Sequence, residues 1–500
     1  MASSKRERRR WPALVVTALV VAVGGLVLIG RFPVGGPGSS PRFHEIMVPP
    51  DLRTVDAIPV APASLAGHNL LLVTLDTTRA DYIGCYGHEI AATPALDQLA
   101  RDGALFSQAI APSALTLPSH ASMLTGLYPV HHGARTNAVS RLDGRNVTLA
   151  EVLSDGGYRT GAIVSAFVLD SQFGLDQGFR HYDDAMGDQP GGSIIRMLQR
   201  VGNETTDRAV AWLAAGRDKP FFLWVHYFDA HAPYEAPRPF SEQFDMPYDA
   251  EIAFADAQLA RLMETLDDLA LSDRTLVVVA ADHGESLGQH DIFWNHYGLY
   301  PDTLHVPLFL RYPGGPVGVR VERSMRQIDI GKSLLELAGV GSDAFPGREL
   351  IHELAAEGAR DVPRFSGGAR YALQSEGKAV SLHQGRWFLT FVLEGGSKNG
   401  NPDWGVFETH TVELYDLEDD PKCERDLAVL EHEQAKRMRA RLIEWLSSAV
   451  DSGWAAEGPD TEETRALLAQ LGYAAGGAGV DAMDLFDPEC ECERCAPFRD

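Results

Sequence analysis

Apolar residues along the chain fall into two patterns. The first is the short unbroken run, as in His68–Asp76 (HNLLLVTLD), Lys219–Tyr227 (KPFFLWVHY) and Arg274–Ser286 (RTLVVVAADHGES). Runs of this length without polar alternation predict strands buried on both faces, as in a parallel sheet. Gly157–Ala166 (GYRTGAIVSA) predicts another strand. The second pattern is helical. Thr93–Gly103 (TPALDQLARDG) predicts a short helix stopped by Gly103, and Asp249–Ala270 predicts an amphipathic one with Ile252, Ala255, Leu259 and Leu262 on one face. Strands alternating with helices predict an α/β fold, a layered sheet with helices on both faces. From about residue 370 the texture changes. Gly385–Gly395 and Val412–Pro421 predict short antiparallel strands and Glu431–Val450 a closing helix, together a smaller C-terminal antiparallel-sheet subdomain.

The N-terminus has a different pattern. Trp11–Gly30 is twenty residues without a charge, preceded by the basic run Lys5–Arg10. As a helix it spans roughly 30 Å, the thickness of a bilayer's hydrocarbon core. The basic flank predicts a cytoplasmic tail (1–10), one transmembrane anchor (11–30) and an extracytoplasmic remainder, periplasmic or extracellular. A cleaved signal peptide is the rival reading. Its apolar region is usually shorter and ends at small residues, whereas Leu28–Phe43 continues as LIGRF and then a Pro/Gly-rich stretch. Residues 31–66 therefore read as a linker.

Of the 500 residues 45% are apolar, which excludes a disordered chain. The net charge is -25; the first ten residues carry +4, leaving -29 on the rest. An acidic body excludes nucleic acid as the expected partner. Cys85 and Cys423 stand apart from a tail cluster, Cys490, Cys492 and Cys495. Disulfides are the plainer expectation outside the cytoplasm, with a metal site as the alternative; three cysteines without a nearby histidine signal zinc only weakly.

In open α/β sheets ligands bind beyond the carboxyl ends of the strands. Asp76 ends one predicted strand, and Asp282 with His283 ends another. Two carboxylates and an imidazole suit a divalent cation. A third feature is Ser113–Gly126 (SALTLPSHASMLTG), which predicts a helix starting at Pro118, with Thr116 two residues before it and facing its positive end. A cation and a helix N-terminus would together make that hydroxyl a candidate nucleophile toward an anionic ester.

Five blocks, Leu70–Gly87, Thr93–Phe106, Thr116–Pro129, Phe221–Tyr234 and Ala281–Gly314, resemble the sulfatase family of the alkaline phosphatase superfamily in order and spacing, and Arg326–Val340 and Glu413–Ala428 look like its later segments. The resemblance covers roughly residues 67 to 475. It implies an alkaline-phosphatase-like catalytic domain (67–365), a C-terminal subdomain (366–475) and a Cys-containing tail (476–500). It also implies one divalent metal ion (Zn, Mn, Ca or Mg, the imidazole favouring Zn or Mn) held by Asp76, Asp282, His283 and Thr116. By the same resemblance His231 and His296 contact the reacting ester or its leaving group, and Asn137 contacts substrate.

The departures from the family pattern carry information. Members that cleave sulfate have Cys or Ser at position 116, in a Cys/Ser-x-Pro-x-Arg signal that directs conversion to formylglycine. Here the stretch is Thr116-Leu-Pro-Ser-His120, so no formylglycine is expected. Thr77 also replaces a second metal-binding Asp. A metal-bound Thr resembles the superfamily's phospho-substituent transferases and phosphodiesterases. The reading is therefore a membrane-anchored, metal-dependent ester hydrolase with a Thr nucleophile, phospho- or phosphonoester chemistry being favoured over sulfate. A phospho-substituent transferase acting on a lipid or glycan, and a catalytically inactive binding protein, are the alternatives. Neither oligomeric state nor natural substrate is legible.

Overall fold

The unbroken run Asn69–Leu75 sits near the middle of a nine-stranded sheet. The computed structural model describes residues 50–55, 58, 63–137, 140–186, 199–216, 218–341, 345–346, 370–373, 379–398, 405–447, 456–457, 490 and 492–498. The nine strands are β1 (Arg53–Val55), β2 (Asn69–Leu75), β3 (Ala104–Phe106), β4 (Arg159–Ile163), β5 (His181–Asp183), β6 (Phe221–Tyr227), β7 (Thr275–Ala281), β8 (Leu308–Arg311) and β9 (Val319–Val321). Their order across the sheet is β1-β9-β3-β8-β7-β2-β6-β4-β5. All neighbouring pairs are parallel except those made by β8, which runs antiparallel to β3 and β7.

The three apolar runs become β2, β6 and β7, and every residue in them is buried, as a sheet covered on both faces requires. The helices that matter for the site are α1 (Pro94–Asp102), α2 (Thr116–Thr125), α3 (Leu149–Asp155), α4 (Gly202–Ala214), α5 (Pro247–Asp268) and α6 (Ile330–Ala338). Helix α1 begins on a proline and stops at Gly103, as the sequence predicts. Helix α5 buries Ile252, Ala255, Leu259 and Leu262.

Helix α2 differs from expectation. It begins at Thr116 rather than at Pro118, so Thr116 lies in its first turn instead of two residues outside. A helix leaves its first N–H groups without intrahelical acceptors, so a proline at the third position removes no helical hydrogen bond. The first i→i−4 bond runs from the Ser119 N–H to the Leu115 carbonyl (3.1 Å), one residue beyond Pro118.

The C-terminal part is the small antiparallel sheet the sequence predicts. Strands β10 (Arg370–Leu373), β11 (Ala379–Gln384), β12 (Trp387–Val392) and β13 (Val412–Asp416) pair in that order. Helix α7 (His432–Ser447) covers it with Ala435, Met438, Leu442 and Leu446, forming a second core with Leu382, Leu389, Phe391 and Leu414. Among the described residues no helix is long and apolar enough to cross a membrane; Trp11–Gly30, the expected anchor, lies outside them.

Helix α2 closes on Gly126, whose φ is +70°. A Cβ there would collide with the Pro346 carbonyl. Gly126→Ala combines left-handed strain with overpacking and should cost about 2–4 kcal/mol, read as a lower denaturation midpoint at unchanged m-value.

Candidate active site

Register brings the first two acids together. Leu75 pairs with Ala281 in the parallel β2–β7 ladder, so Asp76 and Asp282 leave the sheet side by side. Both are fully buried, as is His283. One carboxylate oxygen of each acid and a His283 ring nitrogen lie within 4.8 Å of one another. The Thr116 hydroxyl is 3.4 Å from His283 Nε2.

Each ligand-type side chain is held from behind. Asp282 Oδ1 accepts from the His283 N–H (2.8 Å) and the Thr77 N–H (3.2 Å). Thr77, which replaces an acid of the resembled pattern, thus contributes through its backbone, at a φ of +48°. Asp76 Oδ2 faces His226 Nε2 at 3.1 Å, and burial keeps the His226 ring neutral, so its Nε2–H donates. His283 donates its Nδ1–H to the Gly284 carbonyl (2.9 Å), which leaves Nε2 as the lone-pair nitrogen on the Thr116 side. Gly284 is required next to it, because a Cβ would strike the Asp302 carbonyl.

Asp76 Oδ1 and Asp282 Oδ2 have no hydrogen-bond donor among the described residues. Burial pushes both carboxyls far above the ordinary range, and at Asp282 the neighbouring Asp76 adds to the rise. Two orphaned buried carboxylate oxygens, an imidazole lone pair and a hydroxyl form a donor set that fits one divalent cation.

Sequence reasoning misses the residues that support Thr116. The Trp224 Nε1–H donates to Thr74 Oγ1 (2.9 Å), the Thr74 hydroxyl donates to His120 Nε2 (3.0 Å), and the His120 Nδ1–H donates to the Thr116 carbonyl (2.8 Å). His120, His226 and Asp282 also lie within mutual ligating distance. Both ring nitrogens of His120 are engaged in this relay, so it acts as a positioning residue. A signal for His226 does exist: it is the one ionisable side chain inside the run Phe221–Val225 and its continuation to Phe228, apart from the phenol of Tyr227.

The remaining expected residues are close by. The His296 ring lies 4.8 Å from the His283 ring and 5.5 Å from the His231 ring, centroid to centroid. Burial depresses both His231 and His296 to about 4. His296 Nδ1 is 3.7 Å from Glu285 Oε1, whose carboxyl burial raises to about 7, and Glu285 Oε2 accepts from the Tyr234 hydroxyl (3.0 Å). Nothing in the sequence pattern singles out Glu285. Asn137 is placed indirectly: its Oδ1 accepts from the Leu117 N–H (2.9 Å) in the first turn of α2, and its buried Nδ2 has no acceptor among the described residues. Asp76, Asp282, His283 and Thr116 thus come together, His296 and then His231 follow from His283 by ring contacts, and Asn137 joins through the Leu117 N–H.

Comparison with known proteins points the same way. The sulfatase family model matches residues 68–340. An N-acetylgalactosamine-6-O-sulfatase of Bacteroides thetaiotaomicron is 23% identical over 75% of this chain and 92% of its own length. A multifunctional alkaline phosphatase superfamily protein of Trinickia caryophylli is 26% identical over 57% of this chain and 77% of its own. Among solved structures, the phosphonate monoester hydrolase of Agrobacterium radiobacter superposes with a TM-score of 0.59 at 21% identity, covering 77% of this chain and 96% of that one.

The raised carboxyls give a pH prediction with a definite sign. A folded-state pKa above the unfolded one means the cation-free protein binds more protons folded than unfolded. Its stability should therefore rise as pH falls from neutral toward the ordinary carboxylate range, while cation affinity falls over the same window. Thermal melts with and without divalent cation, across that range, check both. Asp282→Ala should abolish the cation-dependent rise in Tm.

Proposed function

The chain belongs to the sulfatase family of the alkaline phosphatase superfamily, and from that premise we propose that it hydrolyses an anionic phospho- or phosphonoester, in preference to a sulfate ester, with unmodified Thr116 as nucleophile. The observation that carries this reading is the hydroxyl of Thr116 in the first turn of buried helix α2, 3.4 Å from His283 Nε2.

A divalent cation held by Asp76, Asp282, His283 and Thr116 would supply positive charge that favours the ionised hydroxyl and the anionic ester. The protein's own groups do the rest. The N-terminus of α2 adds the positive end of its dipole. His120 and Asn137, bonded to the backbone of Thr116 and Leu117, fix where the hydroxyl stands. Thr116 Oγ1 gives up its proton to solvent and forms the new bond to phosphorus as the ester oxygen departs and takes up a proton from water. Water then attacks the phosphorylated or phosphonylated Thr116, the phosphate or phosphonate leaves, and Oγ1 recovers a proton. His231 and His296 line the leaving-group side.

The preference follows from the nucleophile. A formylglycine hydrate can expel sulfate by collapsing to its aldehyde. A threonine has no such exit, so its ester must be attacked at phosphorus or sulfur, a route ordinary for phosphoryl groups. We place the enzyme at a membrane, anchored by Trp11–Gly30 with its catalytic domain outside the cytoplasm, on the strength of the basic flank and the uncharged run.

Thr116→Ala should lower turnover by several orders of magnitude at little cost in stability, since the Thr116 side chain caps no helix N–H, and Thr116→Ser should keep part of the activity. A panel of aryl sulfate, phosphate monoester, diester and phosphonate substrates should show the phospho- or phosphonoester fastest. Near-normal turnover of Thr116→Ala, or aryl sulfate as best substrate, contradicts the reading. For topology, protease added to spheroplasts should degrade the body; a protected body, or mature protein beginning near residue 35, contradicts it.

A further inference from the structure

The tail cysteines are far from the active-site residues in sequence and take no part in the chemistry above. Strands β12 and β13 are joined by a long hairpin connection that ends at His410, whose N–H donates to the Val392 carbonyl (2.7 Å) at the end of β12. His410 has a φ of +63°, a backbone conformation few non-glycine residues adopt. From this corner its Nδ1 lies 3.2 Å from Cys492 Sγ and 3.5 Å from Cys490 Sγ. The third tail cysteine, Cys495, is buried and donates its N–H to Cys492 Sγ (3.4 Å). All four ligand atoms lie within 4.8 Å of one another. No spacing motif points to the histidine, which stands eighty residues before Cys490.

We propose that His410, Cys490, Cys492 and Cys495 form a closed structural site for one zinc ion, which fastens the C-terminal tail to the antiparallel sheet. Soft thiolates with one imidazole select zinc over oxygen-seeking cations. Tetrahedral bonds of about 2.3 Å to sulfur and about 2.0 Å to nitrogen set N···S contacts near ~3.5 Å, which is the spacing seen here. Four protein ligands leave no position for water, so the site is structural and not hydrolytic. Positive charge is also at hand to balance three thiolates. Arg439 of α7 donates to Cys495 Sγ (3.4 Å) and stacks over the Phe391 ring.

The surroundings are those of an anchoring point. Cys495 belongs to the core that α7 makes with the sheet, with Cys490, Cys492 and Phe498 packed against it. Arg494 pairs with Glu408 and donates to the Thr409 carbonyl (3.3 Å) in the same hairpin connection. Phe498 lies 5.3 Å from the His432 ring at the start of α7, centroid to centroid. All five cysteines of the chain are free thiols here, so no disulfide competes for these sulfurs in the structure.

The test is a zinc count by mass spectrometry on full-length protein purified without chelator. It is made in an Asp76→Asn/Asp282→Asn background, so that the zinc counted is the tail's. About one zinc per chain is expected, lost on adding either Cys492→Ser or His410→Ala. Zinc absent from the parent, or retained in both variants, overturns the proposal. The zinc count separates zinc from a disulfide, which holds no metal, and the His410→Ala arm tests the imidazole as ligand; a tail peptide lighter by two hydrogens also overturns the proposal. Because a cysteine variant can fail to fold, the wild-type chain is also alkylated with and without a zinc chelator. The three tail thiols should resist alkylation until the chelator is added, and equal labelling in both overturns the site. None of these arms reads turnover, so their failure leaves the Thr116 reading untouched.

Discussion

Two carboxylates buried side by side at the ends of adjacent parallel strands are the constraint on which the rest of this structure depends. The β2–β7 register makes Asp76 and Asp282 neighbours, and neither has enough donors to satisfy its oxygens. Left uncompensated, a pair of buried anions is expensive. The fold limits the cost with backbone N–H groups from Thr77 and His283 and with the ring of His226. One oxygen on each acid stays without a donor among the described residues, and that deficit, together with the His283 lone pair, defines where a cation belongs.

The proposed reading, with Thr116 as nucleophile beside a cation, asks that its hydroxyl stand within about half an ångström of its reactive position. Helix α2 is buried along its whole length, and its first turn is held at two backbone points, by His120 at the Thr116 carbonyl and by Asn137 at the Leu117 N–H. His120 stands where the family's modification signal has arginine. In this chain it couples the first turn of α2 to Thr74 on β2 and Trp224 on β6. Thr116 therefore rests on helix and sheet, whereas Asp76, Asp282 and His283 stand just past strand ends and Asn137, His231 and His296 lie in loops.

Much of this architecture is legible in the amino-acid sequence. Unbroken apolar runs locate β2, β6 and β7, and the acids at their ends follow from where α/β sheets bind ligands. The start of α2 lies two residues earlier than its proline suggests, because proline at the third helical position still costs no intrahelical hydrogen bond. His226 reads as part of a strand, since its partner Asp76 is adjacent only through sheet pairing. His410 is invisible for the same reason: a hairpin corner, not sequence spacing, brings it to the tail cysteines. Spacing reveals local chemistry; a contact across strands shows at most as an ionisable residue inside an apolar run, as at His226, and its partner is not named there.

The most direct test of the central claim is to find the covalent adduct. The protein should be mixed with a slow aryl phosphonate or phosphate ester, quenched in acid during turnover, digested and analysed by mass spectrometry. The account predicts a phosphoryl-type mass increase on the peptide containing Thr116, located at Thr116 itself and absent from the Thr116→Ala variant. An adduct on another residue, or turnover with no adduct under conditions that trap one in a related enzyme, would contradict it.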